Sequence, residues 1–241
     1  MRLRGGARAR RIWWNVRIGV RRARRLCRRQ RRCEPVSRLF GLDRGRPIDR
    51  YYIEAFLAKH AGDVRGHVLE VGDDQYTRMF GSRNVECSDV LHAVPGNPAA
   101  TVVGDLASGT GVPESRYDCM IVTQTLQFIP DAGEAVKTLF RALRPGGVVL
   151  ATVPGISQVS RYDMDRWGDY WRFTNLGISL LFERVFGKDA VSVCTYGNAL
   201  VACGFLQGLA AEEFQDGELD YADEDYPVTI AVRATRSAHP D

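Results

Sequence analysis

The stretch Asp131-Ala-Gly-Glu-Ala-Val-Lys-Thr-Leu-Phe-Arg-Ala-Leu-Arg-Pro-Gly-Gly-Val-Val-Leu-Ala-Thr-Val153 decides the fold. Asp131 is an N-cap with Glu134 three residues on, and Val136, Leu139, Phe140 and Leu143 then form one apolar stripe at helical spacing. Pro145-Gly146-Gly147 stops the helix, and Val148 to Val153 reads as a strand. Just upstream, Tyr117-Asp-Cys-Met-Ile-Val-Thr123 is almost continuously apolar, as a strand covered on both faces must be. Strand, helix, tight turn and strand in one short stretch predict a right-handed parallel crossover.

Working outward, the alternation continues. His67 to Gly72, Val85 to Leu91 and Ala100 to Val103 read as strands, and Ile48 to Lys59 as a leading helix with Tyr51, Tyr52, Phe56 and Leu57 on its apolar face. Downstream, Asn175 to Phe186 reads as a helix, Val191 to Tyr196 as a strand, Ala199 to Phe214 as a helix and Val228 to Ala234 as a last strand. The pattern predicts an α/β fold: a Rossmann-like open, mostly parallel sheet with helices on both faces.

The 241 residues are 45% apolar and 26% charged, which excludes wholesale disorder and a polytopic membrane protein. The net charge of +4 conceals a division. Residues 1–50 hold 18 arginines, no lysine and three acids, a net +15, whereas the remainder carries −11. Trp13, Val16, Val20, Ala23 and Cys27 recur at steps of three or four among the arginines, the pattern of a basic amphipathic helix. An anionic membrane surface is the partner this arm suggests, with nucleic acid the less favoured polyanion and a solvated tail the bland alternative. The expected organisation is an Arg-rich basic arm over 1–37, a linker and leading helix over 38–60, and the α/β domain over 61–241. The six cysteines and four histidines show no metal-ligand spacing, so no metal site is expected, and the cysteines read as small buried hydrophobes of a reducing cytosol. With no secretory signal and no apolar run long enough to span a bilayer, the expected location is cytoplasmic, peripheral at the inner membrane surface if the arm engages it.

In an open parallel sheet the ligand lies beyond the carboxyl ends of the strands. Those ends supply Glu70 and Gly72, then Asp89, then Asp105 with Leu106, then Thr123 to Gln127, of which Thr123 and Gln124 are the expected cofactor contacts. Asp89 follows Gly72 by 17 residues, near the spacing at which a second-strand acid accepts from ribose hydroxyls. Asp105 is placed to accept from an adenine amino group. In this order the residues favour a nucleoside ligand.

The segments Val68-Leu-Glu-Val-Gly72, Gly104-Asp105-Leu106, Tyr117 to Gln124 and Leu143-Arg-Pro-Gly-Gly-Val-Val-Leu150 resemble the class I S-adenosylmethionine-dependent methyltransferases over residues 48–236. Arg46-Pro-Ile-Asp-Arg-Tyr-Tyr52, the Gly72-Asp-Asp-Gln-Tyr-Thr77 turn and Asp163 to Thr174 resemble a bacterial subgroup found beside glycosyltransferases. The resemblance implies S-adenosylmethionine as cofactor and a sugar or glycan-related acceptor, methylated on oxygen. The sequence departs from the family turn, Gly-x-Gly-x-Gly, at Asp74 and Tyr76, the second and third glycine positions. That degenerate turn makes a non-catalytic binding or scaffold protein the alternative; the missing GxGxxG weighs against a third reading, a nicotinamide-dependent oxidoreductase. Pro154 to Thr174 is the expected acceptor segment: Tyr162, Trp167, Tyr170, Trp171 and Arg172 suit a polar, sugar-like ring, and Asp163, Asp165 or Asp169 is the expected base for its hydroxyl. The opposing reading of this segment is a folded lid whose acids pair with its own arginines.

Overall fold

The computed structural model describes residues 33–238. The basic arm expected over 1–37 lies almost wholly outside the described residues. The rest forms a compact unit beginning at Val36.

Seven strands make one sheet: β1 (Gly66–Val71), β2 (Val85–His92), β3 (Val102–Val103), β4 (Tyr117–Thr123), β5 (Leu143–Pro154), β6 (Val191–Tyr196) and β7 (Thr229–Thr235), in the order β3-β2-β1-β4-β5-β7-β6. The first five pair in parallel, and β7 runs antiparallel to both β5 and β6. The strand order reverses between β1 and β4, so a ligand crevice is expected above their carboxyl ends.

Period-2 alternation divides the core. Met120 and Val122 of β4 face one side, against Val136 and Leu139 of α2 (Ala132–Ala142). Ile178 and Phe182 of a further helix (Asn175–Phe186) join them there. Cys119 and Ile121 face the other side, against Phe56 and Leu57 of the leading helix α1 (Ile48–Lys59). Burying a Leu- or Phe-sized side chain stabilises by roughly 1.5–3 kcal/mol, so both layers hold the sheet. Asp131 caps α2 by accepting from the Glu134 N–H at 3.0 Å, while the Glu134 carboxylate turns outward to Lys137, so half of the capping box forms.

Two elements differ from expectation. Strand β5 starts at Leu143, which pairs with Tyr117, and the Pro-Gly-Gly turn is an irregularity within it. Gly147 is required there, because a Cβ would lie 2.8 Å from the Tyr117 carbonyl oxygen. The helix expected over Ala199 to Phe214 ends at Leu206, since Gly208 takes φ +72° and lies against the Ser37 backbone. Residues 36–47 are packed rather than free: Val36 and Ser37 donate to the Gln207 carbonyl, and Ile48 and Tyr52 of α1 pack with Phe205.

Candidate active site

Two cavities open above the strand ends where the order reverses. One, of about 490 Å³, is bounded by Gly72, His92, Asp105, Leu106 and Trp167. The other, of about 360 Å³, is bounded by Asp49, Arg50, Asp73, Gln127, Asp169 and Arg172. Val71, Thr123, Gln124, Phe128 and Asp163 border both. They form a common wall between a ligand half and a neighbouring half.

Glu70 organises the turn after β1. Its buried carboxylate accepts from the Tyr76 N–H at 3.1 Å and from the Thr77 N–H and hydroxyl at 2.7 Å each. Burial pushes its pKa up to about 7 against these hydrogen bonds. Gly72 has φ +93° and open space where a Cβ would stand, so the backbone here is exposed to a ligand. Asp73 takes the Gln75 N–H at 2.9 Å, and Asp74 pairs with Arg78 at 2.6 Å. Side chains thus do for this turn what glycines do elsewhere, and the Asp73 and Asp74 N–H groups have no partner among the described residues.

Asp89 corrects the sequence reading. It lies opposite Leu69 in mid-sheet, three residues before the end of β2, and borders neither cavity. Its carboxylate is taken by Thr101 Oγ at 2.7 Å, His67 Nε2 at 2.9 Å, Tyr117 Oη at 3.3 Å and Arg116 at 3.3 Å. Burial disfavours its ionisation, but these partners outweigh it and hold the pKa below the usual carboxylate range. The residue at the end of β2 is His92. Its Nδ1 is 2.8 Å from the Val94 carbonyl oxygen, which can only accept, so Nδ1 carries the proton and Nε2 is left as an acceptor. Its ring stands edge-on to Trp167 at 5.9 Å.

Asp105 stays at the nucleoside-sized cavity while also forming its own turn. It accepts from the Ala107 N–H at 2.9 Å and from the Ser108 N–H and hydroxyl at 3.2 and 2.9 Å, leaving lone-pair capacity for one more donor. Burial is outweighed by these bonds, and its pKa is lowered.

The segment after β5 separates the expected acceptor residues. Asp169, its side chain 1% exposed, holds Arg172 in a two-pronged pair at 2.6 and 2.8 Å and accepts from the Ser160 N–H. Despite burial, these bonds depress its pKa, so it is a pin rather than a base. Asp165 is exposed, borders neither cavity and lies 3.8 Å from Arg161. Tyr162 stacks under the Arg166 guanidinium at 3.5 Å and faces neither cavity. Tyr170 covers Gly168, and the Trp171 indole N–H donates to the Ile129 and Pro130 carbonyls behind the nucleoside half; neither aromatic borders either cavity. Trp167 lies in the His92 half. Asp163, which accepts from Ser160 Oγ at 2.5 Å, is the acid on the common wall. The folded-lid reading therefore holds for most of the segment.

A family model described as a methyltransferase domain matches residues 48–186. The chain belongs to that family. No curated protein matches it. Among solved structures, this methyltransferase is similar to a SAM-dependent methyltransferase from Archaeoglobus fulgidus, at 11% identity and a TM-score of 0.51 over 78% of this chain and 94% of that one. It is also similar to the [4+2]-cyclase SpnF, at 14% identity and a TM-score of 0.53 over 86% and 87%. A third likeness is to phosphoethanolamine N-methyltransferase 2 of Haemonchus contortus in complex with S-adenosyl-L-methionine, at 13% and 0.51 over 78% and 53%. At these identities the likeness establishes the fold.

S-adenosylmethionine is the methyl donor of this family, and the cavities fit it. Gly72, His92, Asp105 and Leu106 would hold the nucleoside, with His92 taking the place expected of Asp89. The free Asp73 N–H, with Arg50 beside it, would receive the amino-acid end at one edge of the second cavity, leaving the part bordered by Gln127, Asp163 and Asp169. His92 and Arg50 were not singled out as binding residues from sequence. The apolar Val90-Leu91 after Asp89 is the signal that the strand runs on to His92.

Proposed function

We propose that this methyltransferase methylates a hydroxyl of a sugar or glycan-related acceptor. The observation that carries the reading is the cavity beside the nucleoside half. It is bordered by Asp49, Asp73 and Asp163 against Arg50, with Asp169 and Arg172 paired to each other. An excess of acids repels an anionic acceptor, and carboxylate and amide acceptors suit a ligand rich in hydroxyl donors. Bound S-adenosylmethionine supplies an electrophilic methyl group on a sulfonium. Asp163, on the wall shared by the two cavities, receives the proton of the attacking hydroxyl; Ser160 fixes its orientation, and the Asp169–Arg172 pin holds the lid that carries it.

The test is transfer of labelled methyl from S-adenosylmethionine by the full chain to neutral free sugars and oligosaccharides, with nucleotide-linked sugars as the anionic comparison. An alkali-stable methyl ether is expected. Transfer only to amines, or binding without turnover on any hydroxylated acceptor, would contradict the reading; the second outcome would favour a scaffold role, which Asp74 and Tyr76 in place of the turn's glycines support.

We also propose that the arginine-rich arm docks the enzyme on anionic membrane. Basic residues contribute about 1 kcal/mol each near such a surface, so engagement of several would suffice. The full chain is expected to co-sediment with phosphatidylserine-containing vesicles and not with phosphatidylcholine vesicles, less so at high salt. Binding to nucleic acid and not to vesicles would contradict this.

A further inference from the structure

Gln127 follows β4 in a 3₁₀ turn (Leu126–Phe128), is 4% exposed, and borders the acidic cavity. Its Nε2 donates to Gln124 Oε1 at 3.2 Å, which turns its own Oε1 away from that partner. That oxygen is buried and has no hydrogen-bond partner. A buried acceptor left unpaired destabilises the folded protein, and such groups persist where a ligand completes them. Gln124 carries a second cost. It has φ +45°, a left-handed conformation rare for a residue with a side chain, and is held there by its N–H bond to the Thr152 carbonyl at 2.9 Å. Strain at Gln124 on the common wall is thus in hydrogen-bond contact with an unpaired amide at the edge of the acidic cavity.

We propose that the Gln124–Gln127 amide pair is the acceptor-reading element of this enzyme, with Gln127 Oε1 accepting a hydrogen bond from a hydroxyl of an uncharged, polyhydroxylated acceptor. Gln124 sets the pair at the junction, and Gln127 contacts the acceptor and orients it toward the shared wall. An anionic acceptor is disfavoured by Asp49, Asp73 and Asp163 around the same space. An amine donor would satisfy the amide equally, and the methyl-transfer product distinguishes the two. The proposal rests on the reading of this cavity as the acceptor half.

Three measurements on the full chain decide it. In Gln127→Met, an apolar side chain of similar length removes the unpaired oxygen, so the melting temperature should rise by about 2–4 °C. The affinity for S-adenosylhomocysteine, read by calorimetry, should stay within twofold of the parent. With a sugar acceptor that the parent methylates, KM should rise at least tenfold with a smaller change in kcat, and Gln127→Glu, which keeps an acceptor oxygen, should recover most of that loss. A lowered melting temperature, or weakened S-adenosylhomocysteine binding, would make Gln127 a structural or cofactor residue and overturn the proposal. An unchanged KM would do the same. Failure of the parent to methylate any sugar would sink the glycan reading, while the first two measurements would still decide the role of Gln127.

Discussion

His67 Nε2 lies 2.9 Å from Asp89 Oδ2, and this contact, with Thr101 and Tyr117, closes a polar network inside the sheet beneath the ligand crevice. Asp89→Ala should therefore act on stability. It leaves the His67, Thr101 and Tyr117 donors without their acceptor, at a cost of about 2–4 kcal/mol read from denaturant unfolding. Because the folded-state pKa of Asp89 is depressed, its contribution is present above the ordinary carboxylate pKa and is lost as pH falls through the folded value. Affinity for S-adenosylhomocysteine in the folded variant should remain within about threefold of the parent, a change worth under 1 kcal/mol.

His92 should carry what Asp89 does not. His92→Leu removes the Nε2 acceptor and should weaken S-adenosylhomocysteine about tenfold, the order of one lost hydrogen bond. His92→Gln keeps an acceptor and should retain most of the affinity. Equal loss in both variants would place the contribution in the ring's packing on Trp167.

Glu70 predicts a pH slope of the opposite sign to that of Asp89. Its pKa is raised to about 7, so between the unfolded carboxylate value and about 7 the folded chain holds a proton that the unfolded chain has released, and stability falls as pH rises through this window. Glu70→Gln should flatten that slope. It should also lower stability by about 1–3 kcal/mol, because an amide cannot accept from all of the Tyr76 and Thr77 donors. A melting-temperature series across pH checks both effects.

The lid predicts a contrast among its acids. Arg172→Ala strips the counter-charge from Asp169, whose side chain is 1% exposed, and should cost about 3 kcal/mol and open residues 155–174 to proteolysis. Asp163→Asn should lower kcat by about 10²-fold or more with the melting temperature nearly unchanged. Asp165→Asn, at an exposed ion pair, should change neither by a measurable amount.

The fold was legible because each signal for it is local. The Asp131 cap, the helical stripe after it and the apolar β4 are read within single elements. Gly72, Asp105, Leu106, Thr123 and Gln124 were legible as strand ends, and the structure brings them to the same crevice. Asp89 was misread because counting from Gly72 measures chain length, whereas the ligand meets the place where the strand stops, which register with β1 sets. The lid scatters its side chains for a related reason. Neighbouring residues there border the first cavity (Trp167), the second (Asp169) and neither (Tyr162), and a short irregular segment has no period from which to read a face. Gln127 was legible only as part of the stretch that ends β4, since an unpaired amide is a property of its surroundings.

The crevice above Gly72, His92 and Asp105 is expected to bind the methyl donor although glycines of the turn are replaced. Calorimetric titration of the full chain with S-adenosylhomocysteine tests it most directly, with Trp167→Phe alongside to separate the cavity from the rest of the chain. The account predicts one site per chain, a rise in melting temperature on saturation, and a tryptophan fluorescence change that Trp167→Phe abolishes. No binding, or binding whose fluorescence change survives Trp167→Phe, would contradict it.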